Sequence, residues 1–148
     1  MASNSSSTTP TLQFQSLNPS REKTILLHSG YHSHREYALV APHLSSYHLI
    51  IPDLPLHGCG TSRNIPFSPT HTAALLADLI AKESKSDKAH VVGISMGGYI
   101  ALYLAATHPN VVESVFVSGC GSLFGNDTKL MRYAGAFFLE FYFPAFIL

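Results

Sequence analysis

The sequence is poor in charge. Only 12% of its 148 residues are Asp, Glu, Lys or Arg, roughly half the usual share. The 9 basic and 9 acidic side chains cancel to zero. A chain without a basic excess cannot neutralise a run of phosphates, so no nucleic-acid partner is expected. A polybasic membrane-surface role falls for the same reason. Cysteine is scarce too. Cys59 and Cys120 form no CxxC pair and no disulfide framework, and both are read as reduced thiols. No CxxC pair accompanies the nine histidines, so no Cys/His zinc site is read and neither metal nor cofactor is expected. The first twenty residues are rich in Ser, Thr and Asn, with no apolar core and no Lys or Arg. No secretory signal or transit peptide is read there, and a cytoplasmic protein is the expectation. No apolar stretch is long enough for a stable membrane span. The tail Tyr133–Leu148 is rich in aromatics but is interrupted by Glu140 and Pro144.

What is present is one domain's worth of chain with an apolar content of 46%. Residues 1–10 are polar and of low complexity, and they read as a disordered tail. Beyond them short apolar runs alternate with helical patterns. Residues 11–17 can hold one strand, and Thr24–His28 is a second. Ser33 to Leu44 reads as a helix, because Ser33 and Glu36 make a capping-box pattern and Tyr37, Val40 and Leu44 share a face. Pro42 should kink its last turns. His48–Ile51 is a further strand, and residues 52–69, with four prolines, form a loop. Ser68-Pro69 supplies the cap and first position of a helix running to about Ser84, with Leu75, Leu76, Leu79 and Ile80 as its buried stripe. His90–Ile94 is a strand, Met96–His108 a helix stopped by Pro109, and Val112–Val117 a strand. This alternation predicts an α/β fold with a mostly parallel sheet, and the continuous apolar strands fit burial on both faces.

One short motif carries chemistry. Gly93-Ile94-Ser95-Met96-Gly97 is a G-x-S-x-G sequence at the point where a predicted strand must become a predicted helix. A chance match in a chain of this length has odds of roughly 1 in 20 at average Gly and Ser usage; the strand-to-helix context removes most of that chance. The turn has to be tight. Side chains at Gly93 and Gly97 would collide with the neighbouring strand and helix, and Ser95 is pushed clear of the sheet. It then sits at a helix N-terminus, where free N–H groups and the helix dipole favour negative charge. The backbone N–H of Met96 can point at a developing oxyanion.

With these residues in view, His90 to Gly119 resembles the nucleophile elbow, following helix and next strand of the α/β-hydrolase superfamily. Leu26-Leu27-His28-Ser29-Gly30 resembles its LLHG loop, and Pro52-Asp53-Leu54-Pro55-Leu56-His57-Gly58 its DLPGHG loop. The resemblance implies an esterase- or lipase-like serine hydrolase with a small-molecule acyl substrate. Ser95 would be the nucleophile. Met96 and Gly30 would give the two oxyanion N–H groups, with Tyr31 as the fallback donor because Ser29 stands where the family carries glycine. Losing one such donor costs about 2.7–4 kcal/mol of transition-state stabilisation. Serine at position 95 disfavours the dehalogenase and epoxide-hydrolase branches, which use a carboxylate. His28 is expected to order the oxyanion loop rather than move protons. Asp53 is expected to cap a turn, with His57 belonging to the same loop motif. His90 is read as a buried or edge residue, Cys120 as inert packing, and His32 and His34 as neighbours of the oxyanion loop.

The triad of this superfamily runs Ser, then acid, then His along the chain. After Ser95 the acids are Glu113, Asp127 and Glu140, and the sole histidine is His108, at the end of a helix expected to pack behind the sheet. Asp127 could stand for the acid; nothing fills the role of base. The expectation is therefore the N-terminal part of a hydrolase domain over residues 11–124. Residues 125–148 read as the truncated start of a cap, and the C-terminal strands and most of the cap are missing. Two functions follow. One is a serine hydrolase, expected to be inactive as this chain; the other is a non-catalytic remnant or interaction module of the same fold. An exposed edge strand and an aromatic tail make self-association an expectation.

Overall fold

The computed structural model of the chain describes residues 10–58, 60–83 and 88–120. The expectations for the polar tail up to residue 9, for Cys59, for Asp127 and for the cap region lie outside the described residues. Among the described residues five strands form one sheet: β1 (Phe14–Leu17), β2 (Glu22–Leu27), β3 (Tyr47–Pro52), β4 (Ala89–Ile94) and β5 (Val112–Ser118). Their spatial order is β1-β3-β2-β4-β5. β2, β3, β4 and β5 run parallel, and β1 pairs antiparallel with β3, Phe14 opposite Pro52. Helix α1 (Pro69–Glu83) connects β3 to β4, and α2 (Met96–Thr107) connects β4 to β5.

The central strands β2, β3 and β4 carry apolar residues on both faces because both faces of the sheet are covered there. Successive side chains alternate between faces. Ile25, Leu27, Ile50 and Val91 pack with Leu76 and Ile80 of α1 and Ile100 and Leu104 of α2. Leu26, Leu49 and Ile51 pack on the opposite face with Tyr37 and Ala41. α1 begins as its sequence predicts: Ser68 Oγ accepts the His71 N–H at 3.1 Å, and Ser68 O accepts that of Thr72 at 2.8 Å. β5 carries Phe116, which is 65% exposed, on the outer side of the described sheet.

The helix expected over Ser33–Leu44 is replaced by two 3₁₀ turns, His34–Tyr37 and Ala41–Leu44. Pro42 lies in the first turn of the second and has no N–H to give to an α-helical bond. The capping box does not form either. Ser33 Oγ accepts from Arg35 N at 3.3 Å, while the Glu36 carboxylate is bound to Ser29. A tertiary contact has taken the side chain that would have closed the box. The loop over 52–69 stands, with a 3₁₀ turn at Gly60–Asn64 inside it.

Leu76 is fully buried between α1 and the sheet. Leu76→Ala should lower the unfolding free energy by about 2–5 kcal/mol, read as a shifted urea midpoint at unchanged slope; a midpoint shift worth under 1 kcal/mol would show that α1 is not packed as described.

Candidate active site

The parallel strands β2 and β4 end side by side, Leu27 opposite Gly93. At the end of β4 the chain reverses into α2 through Ser95, whose backbone lies at φ 51° and ψ −113°. That region is unfavourable for a residue with a Cβ, at a cost of about 1–3 kcal/mol, and it persists only where the surroundings over-determine it. Here they do. Ser95 N–H donates to Ser118 O of β5 at 2.8 Å, and Ser95 O accepts from Tyr99 N at 3.1 Å. A Cβ on Gly93 would lie inside the backbone of Gly97 and Gly98, and one on Gly97 would strike the carbonyl oxygens of Leu27 and His28. Both glycines are thus required by the approach of α2 to the ends of β2 and β4. Ser95 itself stays half-exposed while Met96, Gly97 and Gly98 are buried.

The second half of the site is the segment after β2. Ser29 O accepts His32 N–H at 3.4 Å, closing a β-turn over Gly30 and Tyr31, and Tyr31 holds a φ of 67°. The turn lies against the elbow: a Cβ built on Gly30 would be 4.0 Å from Met96 Cβ. Gly30 and Met96, expected to act together, are neighbours in space. Ser29, the departure from glycine, turns its hydroxyl to Glu36 Oε1 at 2.7 Å, and its N–H donates to Glu36 Oε2 at 2.6 Å.

His28 is fully buried beneath this turn. Its Nε2 accepts the Leu54 N–H at 2.9 Å, so the ring proton is on Nδ1 and is donated to Ser29 O at 2.7 Å. Burial, the largest cause, lowers its pKa to about 4, against an opposing pull from the Ser29 hydrogen bond. A neutral imidazole whose two nitrogens are both engaged ties the end of β2 to the loop after β3. Asp53, also fully buried, accepts both the backbone N–H and the ring Nδ1–H of His34, at 2.8 and 2.9 Å. It thereby caps the 3₁₀ turn at His34–Tyr37, across nineteen positions of sequence. Gly58, at φ +66°, stands where a Cβ would overlap the Asp53 carboxylate. The His57 ring lies 5.2 Å from that of His28.

The remaining candidates lie apart from Ser95 or pack beside it. His90 is half-exposed at the start of β4, reaching Ser114 Oγ at 2.7 Å and Glu22 Oε1 at 3.0 Å. His108 is the C-cap of α2, bonded to Thr107. A helix of α2's length puts it roughly 18 Å from Ser95. Cys120 is half-buried with its Sγ beside Gly98. Sequence reasoning missed the part of Glu36, which it had assigned to a capping box, and that of the Leu54 N–H. No spacing rule announces either contact, because both form between separate loops. A cleft of about 470 Å³ lies between Arg21, Glu83, Lys88 and His90, at the starts of the parallel strands. Ligands of open α/β sheets bind at the other end, where the strands finish. A cleft of about 410 Å³ beside Tyr31, Glu36 and Gly58 is at that end. Among the described residues no His, Cys, Asp and Glu group could hold a metal, and no helix is long and apolar enough to cross a membrane.

Comparison with known proteins agrees with this geometry. The family described as alpha/beta hydrolase fold matches residues 25–143. The chain belongs to that family. An AB hydrolase superfamily protein of Gibberella zeae is 42% identical over 118 residues, covering 78% of this chain and 42% of its own length. Lipase 3 of a Moraxella species is 31% identical over 103 residues, covering 68% of this chain and 32% of the lipase. Among solved structures, an esterase from a marine microorganism superposes with a TM-score of 0.66 at 27% identity, over 74% of this chain and 41% of that one. A lipase structure from Acinetobacter baumannii gives 0.59 at 29% identity, over 72% and 40%. The chain thus spans less than half the length of each of these relatives.

Two predictions follow for this α/β-hydrolase chain. Gly97→Ala should destabilise by about 1–3 kcal/mol or more through overlap with backbone that cannot yield; a denaturation midpoint equal to the parent's would refute the close approach. The His28 pKa is depressed on folding, so its stabilising effect is complete above the ordinary value of 6.5 and is lost as pH falls towards about 4. His48, also depressed by burial, acts in the same direction. His28 alone can account for about 3 kcal/mol at most. Urea titrations at pH 7 and 4.5 should show a smaller loss in His28→Gln than in the parent, and equal losses would count against the buried neutral imidazole.

Proposed function

We propose that this chain carries the nucleophile and oxyanion half of a serine hydrolase acting on an ester or related acyl group. The observation that carries the reading is the strained, half-exposed Ser95 at the N-terminus of α2, with the Gly30 turn against Met96. In this reading Ser95 Oγ attacks the substrate carbonyl carbon while a histidine takes its proton. The carbonyl oxygen becomes an oxyanion held by the N–H groups of Met96 and Gly30, with Tyr31 as the alternative donor. Collapse of the tetrahedral species expels the alcohol, which receives the proton, and water then releases the acid from the acyl-enzyme. The relatives named as a lipase and as an esterase support an ester as substrate. Serine at position 95 supports acyl chemistry over the carboxylate-based opening of epoxides.

The base is the open role. His108 is a helix length away, so this mechanism takes its acid and histidine from outside the residues aligned here with Ser95. Turnover by these 148 residues alone is then about a millionfold below that of a complete triad. The same observation favours a second reading, a non-catalytic module of the hydrolase fold. A fluorophosphonate probe separates the two. Because no base is aligned with Ser95 among the described residues, the expected result is slow covalent labelling on Ser95 at high probe concentration, abolished by Ser95→Ala in a chain that still unfolds cooperatively. A folded chain that takes no label at high probe concentration would favour the second reading.

A further inference from the structure

Ser29 is the one position where the oxyanion loop departs from the glycine of its family resemblance, and the structure shows every polar atom of that serine engaged. Its N–H and its hydroxyl donate to the two oxygens of Glu36, at 2.6 and 2.7 Å. Its carbonyl takes the proton of His28 Nδ1 at 2.7 Å and the His32 N–H at 3.4 Å. Charge-assisted bonds of this length are the stronger kind, and a carboxylate that spans two donors of one residue fixes orientation as well as distance. Glu36 is well placed for this: its side chain is only 19% exposed, whereas that of the nearby His32 is 57% exposed. The next residue along is Gly30, against Met96, and the one after it is Tyr31, in a left-handed conformation unfavourable for tyrosine. In this strained turn His28 and His32 engage the carbonyl oxygens of Ser29 and Gly30, with His32 Nδ1 3.1 Å from Gly30 O and 2.9 Å from Ser29 Oγ, whereas the Glu36 carboxylate takes the Ser29 N–H and hydroxyl proton. The carboxylate holds its first residue in place.

We infer that Glu36 is a positioning residue for the oxyanion loop, acting through Ser29 to hold the Gly30 N–H beside that of Met96. This inference rests on the serine-hydrolase reading above. Glu36 touches no reacting atom; it sets where one donor sits. A serine in place of glycine is then no defect, because its hydroxyl is a second handle for the carboxylate and its Cβ narrows the backbone freedom of the loop. Loss of the clamp should weaken stabilisation of the reacting group's oxygen without altering how the probe first binds.

The experiment is fluorophosphonate labelling of the chain, resolved into the maximal rate and the half-saturating concentration, together with amide hydrogen exchange over Ser29–Tyr31. In Glu36→Ala the maximal rate should fall at least tenfold, with the half-saturating concentration within twofold of the parent. Exchange at Ser29 should speed up by at least tenfold. Glu36→Gln retains an acceptor oxygen and should recover part of both, and it serves equally if Glu36→Ala fails to fold. Unchanged exchange in the variants overturns the clamp. Faster exchange with an unchanged maximal rate overturns the positioning role while leaving the hydrolase reading intact. No Ser95 labelling of the parent chain even at high probe concentration and long incubation, where an unaligned base slows attack without preventing it, overturns the hydrolase reading, and the positioning role with it.

Discussion

The contact on which the rest of the structure depends is between backbones. The start of α2 lies so close to the end of β2 that no Cβ fits at position 97, and the β4 strand lies so close to α2 that none fits at position 93. Only this approach lets a chain leave β4 and enter a helix within one residue, and only that reversal places Ser95 at φ 51°. The unfavourable conformation is held by parallel pairing of β2 with β4 and of β4 with β5, and by the Ser95 N–H bond to Ser118 O. Hydrophobic burial on both faces of the sheet supplies the stability that offsets the strain. Loosening the packing of α1 or α2 therefore acts on the site as well as on the fold.

Around the elbow the site is built from buried polar groups that are paired, and this is how so charge-poor a chain keeps order at its loops. His28 stays neutral and uses one nitrogen to accept and the other to donate. Asp53 gathers two donors of His34 from a segment nineteen residues earlier. A buried polar group left unpaired costs about 1–3 kcal/mol, more if charged, so each loop has few alternatives once the other is in place. The loops after β2 and β3 are thus locked to one another.

The elements legible in the sequence are those whose cause is local. Apolar runs mark β2 and β3, Ser68 and Pro69 mark the start of α1, and the spacing of Gly93, Ser95 and Gly97 marks the elbow. The Ser33–Leu44 segment was not legible because Glu36, which fits a capping box by spacing, is drawn to Ser29 by tertiary structure. The antiparallel edge position of β1 could not be read either, since it depends on a pairing with β3 across more than thirty residues. Gly30 beside Met96 follows from the family resemblance; the anchoring of Ser29 does not, because the resemblance has a glycine there. Local patterns report what a residue offers, and the fold decides which offer is taken.

The nucleophile's geometry and its reactivity have separate causes. Every contact that holds Ser95 in its bend is a backbone contact or an absent side chain, and all of them lie between β2 and β5. Among the described residues none of these contacts involves a proton acceptor for Oγ. The bend is therefore compatible with an active hydrolase and with an inactive relative alike, and the cost of forming it is the same in both. What the bend does distinguish is descent of the site from its chemistry: a strained serine flanked by two sterically obligatory glycines has no packing advantage over a relaxed turn. In the serine-hydrolase reading proposed above, the bend sets Ser95 at the helix N-terminus where an oxyanion would be received, and the contacts of Glu36 with Ser29 lie on the other side of that position.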